Sequence, residues 1–480
     1  MEVGGELVLV DTVSPSVMST TIPVASVVAA VAMLVVAGVL MRTLVRHRGL
    51  PEALESPSPA VAETAAGTHV DASAPTLNYL LELGEALIDA GEPMNSVREI
   101  LRTVARVNGL DYIGVVVLPT ALFLSLPQGQ GVQTEVVSAG RQSLRLDQIE
   151  RLYRVVDLSR RQKMSPVPGI AALHAIRVSP SPFPSWVRIL GHGLFVVGLV
   201  LILRGGWTEM GVAAVLGVVI GALHVTGSRV NQDYRAFLPL VSAFLVSSVV
   251  FTLAGSVSSL QVFPPLVAPL VAFLPGALLT TAVFELSTGQ IVAGSARLAS
   301  GGLRLVLLAL GIIGGAQLVG VPAADISQPG GAGWAVAPWL GVLVFGVGVV
   351  LFKGARLGSL GWIVLVLYVG YAGQILGGVF FGSVLSAFLG ALVMTPVAMV
   401  VARHPSGPPT QVTFLPGFWL LVPGAVGLEG VTRLLDQDQM EGVSTLTAMG
   451  TSMVGIALGV LAGLALGAQL VARPSSQPTS

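Results

Sequence analysis

Ten long apolar segments follow one another between Trp186 and Val471, with only short polar stretches between them. An apolar run of about 20 residues is what an α-helix needs to cross the hydrocarbon core of a bilayer. Only 10% of the 480 residues are charged, against roughly 25% in soluble chains. The sequence therefore predicts a polytopic α-helical membrane protein with about ten transmembrane helices. The predicted spans lie near 186–203, 207–225, 236–254, 262–285, 303–321, 334–352, 360–376, 378–401, 412–428 and 446–471.

The tetrapeptide Phe-Leu-Pro-Gly occurs twice, as residues 273–276 in the fourth predicted span and as residues 414–417 in the ninth. We call these the first and second FLPG motifs. Each motif has three spans before it and one after it in its half of the membrane part. Because the number of spans per half is odd, the second half enters the membrane from the opposite side. The sequence thus predicts two inverted five-helix repeats, 186–321 and 334–471, an arrangement common in secondary transporters.

A Pro-Gly pair inside an apolar span removes a backbone donor and permits unusual dihedral angles, so we expect the helix to break at each motif. Backbone groups freed at membrane depth must face protein or a watery cavity. The two breaks could line a central substrate site, or each could be a packing kink. Their matching positions in the two halves favour the substrate site. Its candidate residues are Pro275, Gly276, Thr280, Thr281, Pro416 and Gly417.

One ionisable side chain near the first motif is a candidate for proton coupling. Glu285 lies ten residues after the motif proline, near a predicted membrane edge, and ionisable residues in such positions often take part in proton transfer. The alternative is an interfacial carboxylate paired with Arg297. Glu429 in the second half is a weaker candidate. His192 and His224 lie near span ends but lack a third ligand, so we predict no metal site.

Composition and motifs exclude several other functions. The 25 basic and 25 acidic residues balance, so nothing indicates nucleic-acid binding, and the chain has no cysteine for disulfides or thiolate metal sites. No phosphate loop, nucleophile elbow or zinc pattern occurs. We therefore predict that the protein is not an enzyme, needs no cofactor and works within the lipid bilayer.

The first 185 residues divide into four predicted parts. Residues 1–50 contain an apolar run at 22–41 and are expected to form an additional N-terminal anchor helix, although a true start at Met41 is an alternative. Residues 51–76 are a flexible linker, 77–165 a small α/β domain, and 166–185 a Pro-rich linker. In the domain, an acidic stripe is expected to be a solvated helix face, with a metal or hydrolase site as the alternative. The stripe consists of Glu82, Glu85, Asp89 and Glu92.

Loop charges predict the orientation of the chain in the membrane, and one glycine pattern predicts close helix packing. Loops on the side of residues 42–185 hold most of the lysines and arginines, and positive loops remain on the cytoplasmic side. The small domain is therefore predicted to be cytosolic. Glycines at every fourth position of the last span indicate close approach of another helix, either within the chain or from a second subunit of a homo-oligomer. These are Gly455, Gly459, Gly463 and Gly467.

Three stretches resemble the bacterial threonine/serine exporter family. Residues 81–92 (LELGEALIDAGE) resemble the opening helix of that family's cytosolic domain. Residues 274–298 (LPGALLTTAVFELSTGQIVAGSARL) and 414–428 (FLPGFWLLVPGAVGL) resemble its two membrane motifs. The likeness extends over about residues 77–471, in the family's order, and the actinobacterial type carries both halves on one chain.

The resemblance implies a secondary transporter of the bacterial plasma membrane that exports L-threonine and L-serine, driven by the membrane potential or the proton gradient. The family's ten membrane spans match the number counted above. Two other functions stay open from the residues alone. One is a passive channel or facilitator for small polar metabolites. The other is a membrane scaffold or sensor in which the cytosolic domain is the part that reads the signal.

Overall fold

The computed structural model describes a small α/β domain followed by a helical membrane part. The described residues are 73–128, 131–140, 143–227, 236–257, 259–320, 336–421, 424–435 and 439–471. The predicted anchor helix at 22–41 and most of the linker at 51–76 lie outside these ranges. The first described helix begins at Ser73, four residues before the predicted domain boundary.

The α/β domain packs its helices on one face of a three-stranded antiparallel sheet with the order β1-β2-β3. Its core forms because α1 presents Leu80, Leu83 and Leu87 at helical spacing and β2 presents Leu122 and Leu124 at alternate positions, all fully buried. The elements are α1 (Ser73–Asp89), α2 (Met94–Val107), β1 (Gly114–Leu118), β2 (Ala121–Gln128), β3 (Gly131–Ser138), α3 (Leu146–Arg160) and α4 (Pro166–Val178).

The predicted Pro-rich linker at 166–185 is wrong over its first thirteen residues, which form α4. Its prolines lie in the first helical turn, where a backbone N–H has no intrahelical partner and a proline is tolerated. Leu173 and Ile176 are buried, and Gly169 lies against the ring of Tyr79 on α1. This helix therefore belongs to the core of the α/β domain, and only residues 179–184 connect it to the membrane part.

The membrane part confirms a polytopic α-helical protein. Among the described residues, six helices are long and apolar enough to cross a membrane, or seven if one bent pair is counted as a span. Ten spans as two inverted repeats remain a prediction. The helices are α5 (Ser185–Ile202), α6 (Trp207–Gly227), α7 (Leu238–Ser256), α8 (Phe263–Val267), α9 (Gly276–Ser287), α10 (Ile291–Val319), α11 (Ala337–Lys353), α12 (Leu360–Val401), α13 (Thr410–Leu421), α14 (Gly424–Leu435) and α15 (Gln439–Val471).

The fourth predicted span breaks at the first FLPG motif. Helix α8 and a short 3₁₀ turn (Ala268–Leu270) end before the motif, and α9 starts at Gly276 with Pro275 in the N-cap position. A proline there loses no intrahelical hydrogen bond, so the chain leaves the motif as a new helix.

The predicted break at the second FLPG motif is wrong, because α13 runs through Pro416. A proline removes only its own backbone hydrogen bond, and the helix can continue around it with a bend. The change of direction comes later, where Thr410–Leu421 and Val426–Arg433 meet at 41°. Gly417 instead provides close packing, since a Cβ at this position would collide with the sulfur of Met394.

The seventh and eighth predicted spans form the single element α12, which Gly382 divides. This glycine adopts φ 81° and ψ 178°, a conformation that side chains with a Cβ avoid. The second arm, Leu385–Val401, packs along the glycine stripe of α15. A Cβ at Gly463 would lie 2.6 Å from Thr395 Cβ, and Gly459 and Gly467 approach the same arm as closely. The helix that packs on the glycine stripe thus belongs to the same chain.

Helix pairings correspond between the two halves. Helices α5 and α11, the first of each half, pack against each other through Gly198, Gly341 and Gly348. Helix α7 packs on α10 in the first half, as α12 packs on α15 in the second. Across the halves, α9 contacts α15 and α10 contacts α14. The two motif-bearing segments are therefore held at the contact between the halves.

Candidate functional site

A cavity of about 1260 Å³ lies between the α/β domain and the membrane part. Its membrane wall includes Thr281 and Phe284, which follow the first FLPG motif, and Phe414, Leu415 and Phe418 at the second. These residues come together because α9 contacts α13 directly. Residues that are 130 positions apart in the chain thus line the same cavity.

The opposite wall includes seven of residues 91–100, around the start of α2, and one face of α3. The lining carries charges of both signs, four acidic and three basic, which suits a small zwitterion better than an apolar ligand. The charged lining residues are Glu92, Glu99, Glu150, Asp157, Arg154, Arg160 and Arg356.

The predicted substrate residues have different surroundings. Thr281 is half-buried and lines the cavity, whereas Pro275, Gly276, Pro416 and Gly417 are not part of its wall. Thr280 is 1% exposed, and its Oγ1 has no hydrogen-bond partner within the described part of the chain. A buried hydroxyl without a partner is unfavourable by about 1–3 kcal/mol, so a polar group that binds here would be stabilised.

Glu285 pairs with Arg297 at the contact between the two parts of the protein. Its carboxylate is fully buried, and Oε2 lies 3.1 Å from Arg297 Nε. The backbone N–H of Met94, the first residue of α2, donates to Glu285 Oε1 over 3.1 Å. A carboxylate at the N-terminus of a helix is favoured because unpaired N–H groups and the positive end of the helix dipole meet it. Glu285 thus binds the start of α2 to the membrane part.

Three further contacts strengthen this junction. Arg297 Nη2 donates to the carbonyl oxygen of Glu92 over 3.3 Å, and Arg98 Nη2 donates to Gln290 Oε1 over 3.1 Å. The Glu92 carboxylate accepts the hydroxyl proton of Tyr153 on α3. Burial raises the pKa of Glu92, and the Tyr153 hydroxyl and nearby arginines only partly offset this. We call the set Glu92, Met94, Arg98, Glu285, Gln290 and Arg297 the junction cluster.

A second contact holds the other side of the cavity. Glu150 on α3 accepts from Arg356 Nη1 over 2.9 Å and from Ser359 Oγ over 3.3 Å. Arg356 and Ser359 lie in the connection between α11 and α12, at the start of the second half. The α/β domain is therefore attached to both halves of the membrane part, with the cavity between the two attachments.

The acidic stripe of α1 and the following turn is not the solvated face that the sequence predicts. Helix α4, the predicted linker, supplies basic side chains as partners for it: His174 lies 2.8 Å from Glu82, and Arg177 lies 2.9 Å from Glu85 and 3.8 Å from Asp89. Three of the four stripe residues, Glu82, Glu85 and Asp89, thus bind α4 to α1 and have a structural role.

Sequence reasoning found Glu285 and, as one alternative, its pairing with Arg297. It missed Met94, Arg98 and Glu92, because spacing on one helix cannot show a contact that is almost 200 residues away. The weak signal is that residues 81–92 belong to the same recognisable family pattern as the stretch 274–298.

Comparisons with known proteins give distant eukaryotic relatives. The chain is 25% identical over 426 residues to the pheromone-regulated membrane protein 10 of Zygosaccharomyces rouxii, covering 82% of this chain and 43% of that protein. It is 21% identical to the protein of the same name from Candida glabrata, covering 84% and 54%, and 22% identical to that from Saccharomyces cerevisiae, covering 80% and 53%. The chain spans about half the length of these curated relatives.

No solved structure matches the chain. A family model does: the ThrE model, described as "Putative threonine/serine exporter", matches residues 78–319. The matched region runs from α1 through the end of α10, so it includes the first FLPG motif and all six residues of the junction cluster. Because this model covers half of the 480 residues, the chain belongs to the threonine/serine exporter family.

Proposed function

We propose that this protein is a secondary transporter that exports L-threonine and L-serine from the cytoplasm, driven by the proton-motive force. The observation that carries the proposal is the cavity, because residues that follow both FLPG motifs line it together with charged residues of the α/β domain. A substrate that enters between the domain and the membrane part would reach the motif-bearing helices of both halves at once.

The helix pairings support the predicted inverted repeats. Equivalent helices of the two halves pack together, and equivalent pairs recur within each half. In transporters built from such repeats the substrate site lies at the interface of the repeats. The contact of α9 with α13 and α15 supports a site between the two halves.

The loop charges support a cytoplasmic α/β domain in a bacterial plasma membrane. The domain contacts Arg297 and Arg356 of the membrane part, and positively charged connections are retained on the cytoplasmic side. The cavity would then open from the side on which the exported amino acids are made.

Glu285 remains our candidate for proton coupling, with a role defined by its contacts. A proton on this carboxylate would remove the charge that pairs with Arg297 and would weaken the contact with the N-terminus of α2. Protonation would thereby favour detachment of the α/β domain from the wall of the cavity. In this scheme one titratable group couples the proton gradient to access to the site.

Purified protein in proteoliposomes tests the function. We expect labelled L-threonine and L-serine to be transported, and an imposed pH gradient to drive their accumulation against a concentration gradient. Flux that only follows the substrate gradient would favour a passive facilitator. Absence of transport for both amino acids would contradict the proposal and favour a scaffold or sensor.

Two variants test the candidate residues. Thr281→Val removes a hydroxyl from the cavity wall, and Pro275→Ala removes the proline that starts α9, so both should lower transport while the protein remains in the membrane. Thr252→Val is the matched control, because Thr252 is exposed on α7 and its hydroxyl donates to the carbonyl of Ser248 in its own helix. Wild-type transport by Thr281→Val would exclude that hydroxyl from the site.

A further inference from the structure

Lys353 is a cation enclosed by aromatic rings between the two halves. It is the last residue of α11, one residue beyond the predicted span 334–352, and is partly buried. Its Nζ lies 4.8 Å from the centre of the Phe352 ring and 5.0 Å from that of Trp419. Trp419 follows the second FLPG motif by two residues, so the lysine lies beside the motif-bearing helix α13.

Side chains of the first half meet the same Phe352 ring. The His192 ring on α5 lies 4.6 Å from it and the His224 ring on α6 lies 5.2 Å from it, both measured between ring centres. Phe273, the first residue of the first FLPG motif, lies 5.5 Å from His224. The first motif thus contributes Phe273 to this region and the helix of the second motif contributes Trp419; we call the region the lysine pocket.

The lysine pocket has an excess of positive charge. Within the described residues, Lys353 forms no hydrogen bond or ion pair, and its contacts are the two cation–π contacts. Arg188 adds a second cation, donating to the carbonyl oxygen of Phe352 over 3.4 Å. Asp147 comes near Gly354, but Arg145 binds its two oxygens over 2.9 and 3.2 Å. A desolvated cation is costly unless an anion pairs with it.

A second polar group in the pocket also lacks a partner. His192 is fully buried, and because a carbonyl oxygen only accepts, its Nδ1 donates to Gly217 over 2.7 Å. A neutral imidazole with its proton on Nδ1 leaves Nε2 as an acceptor. Nε2 has no partner among the described residues. The pocket therefore offers a cationic donor and a neutral acceptor without partners, which matches the carboxylate and the hydroxyl or ammonium group of a hydroxylated amino acid.

We propose that Lys353 binds the carboxylate of the exported amino acid, with His192 Nε2 as acceptor for its hydroxyl or ammonium group. This inference rests on the proposed export function and identifies a binding residue for it. The residue lies outside the sequence motifs and outside the region that the family model matches. The aromatic rings beside Nζ are less polar than water, and less polar surroundings strengthen an ion pair; a lysine bound to a carboxylate also makes one of the stronger kinds of hydrogen bond.

Counterflow of labelled L-threonine in proteoliposomes, with unlabelled competitors, tests the proposal. L-Threoninamide keeps the ammonium and hydroxyl groups but has a neutral amide in place of the carboxylate. For the wild type we expect the amide to compete at least about tenfold less well than L-threonine, as expected for loss of a charge-assisted hydrogen bond. Equal competition by the amide would overturn the proposal without any variant.

Substitution of the lysine gives the second measurement. Lys353→Gln should raise the half-saturation concentration for L-threonine about tenfold or more and leave that for the amide unchanged, so the discrimination disappears. Lys353→Arg should retain the discrimination. Arg204→Gln is the matched control, since it removes another cation of the membrane part, at the far end of α5, and should behave as the wild type.

The outcomes separate the two proposals. If the wild type transports L-threonine and Lys353→Gln keeps its affinity and its discrimination, the lysine proposal is refuted and the export function stands. If wild-type vesicles carry neither L-threonine nor L-serine, the export function fails and the carboxylate site fails with it. Loss of discrimination in Lys353→Gln but not in Arg204→Gln supports the site.

Discussion

Replacing Arg297 with glutamine removes the cation that neutralises Glu285, while the carboxylate remains buried. The two side chains are 10% and 0% exposed and their charged atoms lie 3.1 Å apart. Breaking one side of a buried ion pair costs about 3–5 kcal/mol, because the remaining charge is left unpaired in a poor solvent for it. We expect Arg297→Gln to weaken docking of the α/β domain by roughly this amount, a factor of about 10² to 4 × 10³ in the docking equilibrium.

A double-mutant cycle separates the pair from its surroundings. Glu285→Gln leaves Arg297 without its carboxylate, and the glutamine oxygen can still accept from the Met94 N–H. The double variant leaves no unpaired charge, so it should be more stable than the sum of the single effects predicts. The expected coupling between the two positions is at least about 1 kcal/mol.

Hydrogen exchange measures this effect locally. The Met94 amide donates to Glu285 Oε1, so its exchange rate reports opening of the junction without requiring unfolding of the whole protein. Arg161→Gln is the control: it breaks the pair with Asp157, whose side chains are 65% and 56% exposed, and exposed pairs contribute about 0–1 kcal/mol. If Arg297→Gln and Arg161→Gln change Met94 exchange equally little, the junction cluster does not hold the domain and the reasoning fails.

Three further results are expected. Gly463→Leu should lower the thermal midpoint of the purified protein, because overpacking against Thr395 costs about 1–3 kcal/mol, whereas Gly450→Leu, with nothing within 4 Å of its Cβ, should not. Burial raises the pKa of Glu92 above its ordinary 4.5, so the folded state holds this proton more tightly and stability should fall as the pH rises through the raised pKa. Thermal unfolding midpoints measured from acid to neutral pH should fall less steeply with pH in Glu92→Gln than in the wild type. Equal slopes in the two proteins would contradict this. Leu173→Ala should destabilise the α/β domain by about 2–5 kcal/mol, in contrast to the negligible effect expected for a linker residue.

Much of the fold follows from local pattern. Apolar runs of membrane-spanning length predict the membrane helices. Side chains that face lipid must be apolar, and backbone polar groups in lipid must form their hydrogen bonds within the same helix. Alternating and helical spacings predict the strands and most helices of the α/β domain. The break at Pro275 was also predictable, since it depends on two adjacent residues in an otherwise apolar segment.

The errors arise where local pattern competes with packing. Pro416 lies in the same tetrapeptide as Pro275, yet α13 continues through it, because a proline removes only its own backbone hydrogen bond and the helix can continue around it. Residues 166–178 contain two prolines and suggest a linker, but both fall in the first helical turn, and Gly169, Leu173 and Ile176 on one face of the helix are buried.

The sequence by itself determined the class of the protein, the positions of its apolar helices and the presence of a carboxylate near the first motif. These depend on composition and on residues within one or two helical turns. Only the tertiary structure decided which groups meet: Glu285 with Met94, Glu150 with Arg356, and Lys353 with the rings of both halves. A charge buried among apolar helices has few neighbours within bonding distance, and those neighbours come from segments whose proximity is set by helix packing rather than by spacing along the chain.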